Sequence, residues 1–201
     1  IRNWSTRNYI DPAHPLQKEI TVTLAEMAGI PVDKIHVGID GCSAPNFAIP
    51  LMNSALAYAR LCDPVDLPLS RAEACQKITA AMMENPLIVA GPGRFDTRLM
   101  EIGNGRLIAK GGAEGYQGIG IMPGVLAPES PGIGIALKIS DGDTRGRARP
   151  AVIMEILHQL GALTSVELAS LAEFGPRFPL TNWRKVIVGE ARPCFQLYRG
   201  N

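Results

Sequence analysis

Asp40, Cys42 and Ser43 fall within four positions of one another in Gly38-Ile39-Asp40-Gly41-Cys42-Ser43-Ala44-Pro45, where a strand-like run from Lys34 to Ile39 opens into a turn. A carboxylate, a thiol and a hydroxyl are thus presented together at a strand-to-loop junction, where scaffolds often expose reactive groups. The same letters also suit a tight turn in which Gly41 supplies a positive φ and Cys42 is a small buried filler.

Two further stretches carry comparable chemistry. In Asn85-Pro86-x4-Gly91-Pro92-Gly93-Arg94-Phe95-Asp96-Thr97, glycine and proline shape a fixed loop around a guanidinium and a carboxylate. Arg94 and Asp96 could hold the two ends of a zwitterion, as an α-amino acid requires, or could pair with each other inside a structural loop. In Ala109-Lys110-Gly111-Gly112-Ala113-Glu114-Gly115 a lysine ends a strand before two glycines. Glycines there let a substrate approach the backbone closely, although Lys-Gly-Gly also serves as an ordinary turn.

No nucleophile and base can be paired by spacing within the chain: Ser-x-x-Lys, Gly-x-Ser-x-Gly and His-x-x-Glu-His do not occur. His14, His36 and His158 lie in a turn, a strand and an amphipathic helix, places that suit structural or solvent-facing roles. Gly115-Tyr116-Gln117-Gly118-Ile119-Gly120 does not open a helix after a strand, which excludes a dinucleotide fingerprint.

The elements that must position these groups can be read from periodicity. Leu16, Ile20, Leu24 and Met27 recur at helical spacing and Gly29-Ile30-Pro31 ends that helix. Residues 50–61 form a second helix. A third runs from Ser70 to about Glu84, opened by a Ser70-x-x-Glu73 capping box, with Ile78, Ala81 and Met82 inward and Asn85-Pro86 as its stop. Arg106 to Ala109 and Gly118 to Met122 are strand candidates. Gly132 to Ser140 is the clearest strand: Ile133, Ile135, Leu137 and Ile139 alternate with Gly134, Ala136 and Lys138, leaving one bulky face and one small face on which something packs or binds closely. Ala148 to Leu160 is an apolar helix, Thr164-x-x-Glu167 caps the next, and Val186 to Val188 closes the sheet. Strands joined by short Gly-rich turns favour antiparallel pairing. The predicted fold is mixed α/β (α+β), an antiparallel sheet flanked by helices.

Composition narrows the class. The chain has 201 residues, 46% hydrophobic and 19% charged, enough for a core that needs no staples. A net charge of +1 with scattered Lys and Arg gives no footprint for nucleic acid or a membrane surface, and no apolar run approaches the ~20 residues of a bilayer span. Cys42, Cys62, Cys75 and Cys194 form no CxxC pair, as expected of reduced thiols in a cytoplasmic protein. The first residue, Ile1, opens ordinary internal sequence, so the chain reads as part of a longer protein or a processed product.

Taken in order, Ile39-Asp40-Gly41-Cys42-Ser43-Ala44-Pro45, Asn85-Pro86 with Val89-Ala90-Gly91 and Arg94-Phe95-Asp96-Thr97, Ala109 to Gly115, and Gly134 to Ile139 with Asp141-Gly142-Asp143 resemble the rhizobial-type (class 3) L-asparaginases. Tyr9-Ile10-Asp11-Pro12-x-His14-Pro15-Leu16-Gln17 and Asn182-Trp183-Arg184-Lys185 with Val188-Gly189-Glu190 extend the likeness over nearly the whole chain. The resemblance implies a scaffold similar to serine β-lactamases and glutaminases, and hydrolysis of L-asparagine to L-aspartate and ammonia by two serine–lysine pairs through an acyl-enzyme. It implies that residues 1–201 are the C-terminal part of an asparaginase domain whose nucleophile-bearing part precedes Ile1, so that this part alone is inactive.

By motif, Lys110 resembles the lysine of the second pair and is similar to the lysine in the Lys-Thr-Gly element of penicillin-recognising enzymes. Desolvation beside glycines and apolar neighbours would favour its role as a base. Cys42 resembles a zinc-binding cysteine that needs partners from the upstream part, Asp40 a substrate-orienting carboxylate beside it, and Arg94 with Asp96 the pair that positions the amino acid, although some members carry cysteine where Asp96 stands. The partner expected is a small-molecule substrate, asparagine, with a homodimer left open. The competing readings are another amidase on the same scaffold and a non-catalytic homologue that binds an amino acid.

Overall fold

Residues 2–198 and 200 are described by a computed structural model. The elements in chain order are α1 (Pro15–Ala28), β1 (His36–Ile39), β2 (Pro45–Ala48), α2 (Leu51–Cys62), α3 (Leu69–Glu84), α4 (Pro86–Ala90), α5 (Phe95–Gly103), β3 (Leu107–Gly111), β4 (Tyr116–Ile121), β5 (Ile133–Lys138), α6 (Ala148–Leu160), α7 (Ser165–Ala169), β6 (Phe178–Thr181) and β7 (Ile187–Ala191). The architecture is mixed α/β, with antiparallel strands flanked by helices, as the sequence predicts.

The centre is the antiparallel sheet β3-β4-β5. Its register sets Lys110 opposite Gly118 and Gly111 opposite Gln117, and Gly134 opposite Gly120. The small face anticipated in β5 is where α2 packs. A Cβ on Gly134 would stand 1.7 Å from the Ala55 carbonyl oxygen, and one on Gly120 would stand 2.3 Å from Cys62 Sγ. Glycine therefore lets the α2 backbone approach the strands directly. The core beneath gathers Leu99, Met100, Leu107, Ile108, Ile119, Ile121, Ile153, Met154 and Leu157, so α5 and α6 cover apolar residues of β3 and β4.

Local signals fix the helix ends. His14 accepts the Leu16 N–H and Pro15 starts α1, while Gly29 ends it at φ 62° in the left-handed region. Thr164 and Glu167 form the anticipated capping box at α7, which satisfies backbone donors at both positions. Arg106 reaches the same corner, bonding to the Gly103 and Ala162 carbonyls and to the Glu167 carboxylate.

Three expectations need correction. The helix α3 starts at Leu69 with Pro68 at its N-cap and no side-chain cap, because the fixed φ of proline, −55° here, already enters the helix and leaves Ser70 inside the first turn. Its inner face is Cys75 and Thr79 with Met82, whereas Ile78 and Ala81 are exposed. The last strand, β7, does not close the central sheet: it pairs with β6 in a separate antiparallel ribbon.

Candidate active site

Lys110 is the penultimate residue of β3, where the buried run Leu107, Ile108 and Ala109 gives way to an exposed residue. Its ammonium donates to the Gly111 carbonyl at 2.5 Å. It lines a cleft of about 410 Å³ together with Val89, Ala90, Arg94, Asp96, Gly112 and Arg149. Three of the predicted site residues, Arg94, Asp96 and Lys110, therefore share one cavity. Lys110 stays exposed, so the described residues do not supply the burial expected around its ammonium. On its other side Lys110 borders an apolar groove lined by Met27, Ala57, Tyr58, Leu61, Met82 and Val89.

Asp96 is set by α5. The segment expected to be a fixed loop is a loop only through Gly91 and Gly93, which stand at φ 95° and 66°; Arg94 is then the N-cap and Asp96 lies in the first turn of a helix. A carboxylate is favoured there by the helix dipole. Only 6% of Asp96 is exposed. One carboxylate oxygen accepts the Gly111 N–H and the other accepts Gln117 Nε2 at 3.0 Å, so Asp96 ties α5 to both strands behind Lys110. Arg94 is exposed at the mouth, and among the described residues no lysine or arginine forms an ion pair with Asp96. The internal Arg94–Asp96 pair weighed from sequence is not what this loop builds.

Arg149, Gln117 and the aromatic pair Tyr58 and Tyr116 were not singled out by sequence. Arg149 carries a signal that could have found it: a cation in the first turn of a helix opposes the dipole, so its presence in α6 asks for another reason. Tyr116 donates to or accepts from Ser54 at 2.6 Å, joining β4 to α2. Burial, then the neighbouring Tyr116, holds the Tyr58 phenol protonated well above its ordinary range. Burial likewise pushes the Cys62 thiol up to about 12, followed by the effects of Asp63 and Cys75, which makes it an inert packing group.

Asp40 and Cys42 sit elsewhere, at the tip of the β1-β2 hairpin. The turn closes by the Ser43 N–H donating to the Asp40 carbonyl, and the Cys42 thiol donates to the Asp40 carboxylate at 3.6 Å. The positive φ that the turn needs falls on Ser43, at 72°, rather than on Gly41, and Cys42 is exposed rather than a buried filler. Neither residue lines the Lys110 cleft. Among the described residues no group of three or more His, Cys, Asp or Glu side chains is placed to hold a metal. A thiol and one carboxylate fall short of the three or four protein ligands of a zinc centre, so these residues alone do not fit that ion.

What the cleft can do follows from its parts. It sets one carboxylate among three cations, with a lysine at the rim of a strand that a substrate can approach past two glycines. That arrangement suits a small zwitterion held beside a proton-transferring amine. A family model described as L-asparaginase II matches residues 1–193. No curated protein matches the chain.

Proposed function

The chain belongs to the L-asparaginase II family, and from that premise we propose that it carries the substrate cleft and the basic lysine of an enzyme hydrolysing L-asparagine to L-aspartate and ammonia. The observation that carries the reading is the convergence of Lys110, Asp96 and Arg94 on one cleft. Asp96 supplies a negative charge for the ammonium of the amino acid, the guanidinium groups of the cleft supply a positive charge for its carboxylate, and Lys110 exchanges protons with a serine hydroxyl.

No Ser-x-x-Lys occurs in the sequence, so the reading takes the serine from residues outside these 201. The serine oxygen bonds to the side-chain amide carbon as its proton passes to Lys110. The tetrahedral adduct then breaks its C–N bond, the nitrogen takes the proton held by Lys110, and ammonia leaves an aspartyl ester on the serine. Water attacks that ester, its proton returns through Lys110, and aspartate and free serine result. On the same reading the scaffold is akin to that of serine β-lactamases and glutaminases, with which a helix-covered antiparallel sheet is compatible. Cys42 would be one donor of a zinc site completed by residues outside these 201, with Asp40 a substrate-orienting carboxylate beside it, and no step is assigned to the metal. Four free thiols accord with a reducing, cytoplasmic setting. Among the described residues no helix is long and apolar enough to cross a membrane.

The test is a substrate panel with the complete protein. Release of ammonia from asparagine, well above that from glutamine and with no opening of β-lactams, is the expected pattern. Preference for glutamine or a β-lactam would assign another amidase, and tight asparagine binding without turnover would assign a binding protein.

A further inference from the structure

The cleft holds two guanidinium groups, and they are not equivalent. Arg94 is exposed, and its side chain makes no hydrogen bond or ion pair among the described residues. Arg149 is half-buried and already oriented: Nη1 donates to the Gly112 carbonyl at 3.2 Å and to the Tyr116 carbonyl at 3.2 Å. Its Nε is buried with no partner, and no carboxylate pairs with it among the described residues. The chain makes room for it as well. A Cβ on Gly111 would stand 2.7 Å from Arg149 Nη1 and 3.1 Å from the Asp96 carboxylate, so only glycine lets both charges flank the end of β3.

A guanidinium fixed by neutral carbonyls at the wall of a polar cleft, with the nearby Asp96 carboxylate bonded to Gly111 and Gln117 rather than paired with it, is prepared for an anion that arrives with the ligand. Its orientation also removes much of the ordering cost that an exposed arginine must meet on binding. We propose that Arg149, rather than Arg94, binds the α-carboxylate of the substrate and makes the site select amino acids over neutral amides; this rests on the asparaginase reading above. Arg94 at the mouth then acts on encounter, through a field that salt screens.

The test compares L-asparagine with L-asparaginamide, in which the carboxylate is blocked as a neutral amide, in the complete wild-type protein and in Arg149→Gln, Arg149→Lys and Arg94→Gln. The side-chain hydrolysis product is read by chromatography, and asparaginamide is also read as a competitor of asparagine. Losing a charge-assisted contact should lower kcat/KM for asparagine roughly tenfold to a hundredfold in Arg149→Gln. That loss should fall mainly on KM, with asparaginamide affinity unchanged. Arg149→Lys, which keeps the cation and guards against a folding failure, should recover part of the loss, and Arg94→Gln should keep the discrimination. Equal losses for both ligands in the folded variants, discrimination that survives in Arg149→Gln, or a wild-type protein that does not discriminate would overturn the assignment. A wild-type protein that hydrolyses neither ligand would instead remove the asparaginase reading on which it rests.

Discussion

Asp96 joins the helix that carries it to the two strands behind Lys110, and it does so with both oxygens. Replacing it with alanine removes the acceptor of the part-buried Gly111 N–H and the shorter of the two acceptor contacts of the buried Gln117 Nε2. Asp96→Ala should therefore lower unfolding free energy by about 1–3 kcal/mol, measured by urea denaturation. An unchanged midpoint would mean that water replaces the carboxylate and that the strut is dispensable. The sequence showed Asp96 and Arg94 as neighbours but not that one is buried and the other exposed. That difference arises because α5 begins between them, and two residues at a helix start point in different directions. Arg149 lay beyond view for another reason: it is 39 positions from Lys110, and only the pairing of β3 with β4 and the placement of α6 bring the two to one cleft.

At the scale of elements, the most exacting contact is that of α2 on the glycine face of β4 and β5. Gly134→Ala would push a methyl group into the Ala55 carbonyl and Ala59 N–H, which are backbone atoms with no flexible end to yield. A loss of about 3 kcal/mol or more is expected, seen as a fall in Tm of roughly 6–12 °C. A shift within 2 °C would contradict that packing.

The α7 cap offers a pH-dependent test. The Thr164 backbone N–H, its hydroxyl and the Arg106 guanidinium together hold the Glu167 carboxyl below the usual carboxylate range, against an opposing contribution from burial. A carboxyl held lower in the folded state adds stability above its unfolded value of about 4.3 and loses it as pH falls through the folded value. The stability gap between wild type and Glu167→Gln should thus be constant from about pH 6 to 7 and close in the acid range below about pH 4. A gap that widens on acidification would reverse the sign and reject the account.

The longer elements were legible in the sequence: α1, α2 and α6 through apolar residues at helical spacing and β5 through its alternation of bulky and small residues, although burial runs through β3, β4 and β5 without alternating. The short pieces were not. The helix α5 was hidden by its Gly-Pro-Gly approach, β2 and β6 by their prolines, and the start of α3 by a proline that does the work expected of Ser70. The β6-β7 ribbon stands apart because strand pairing over a distance is decided by packing and not by local pattern.

For the whole molecule, the cleft and the apolar groove meet at Lys110, so the lysine stands where polar and apolar surfaces join. The hairpin bearing Asp40 and Cys42 does not line that cleft. Family membership joins these parts into one functional proposal, and its central claim concerns a single amine. The direct measurement is ammonia release from asparagine by the complete protein and by Lys110→Ala, with Tm recorded for both. The account predicts a fall in kcat of roughly a hundredfold or more with Tm nearly unchanged, since Lys110 is exposed and bonds only to a neighbouring carbonyl. Turnover that survives in the folded variant would contradict the assignment of Lys110 as the base.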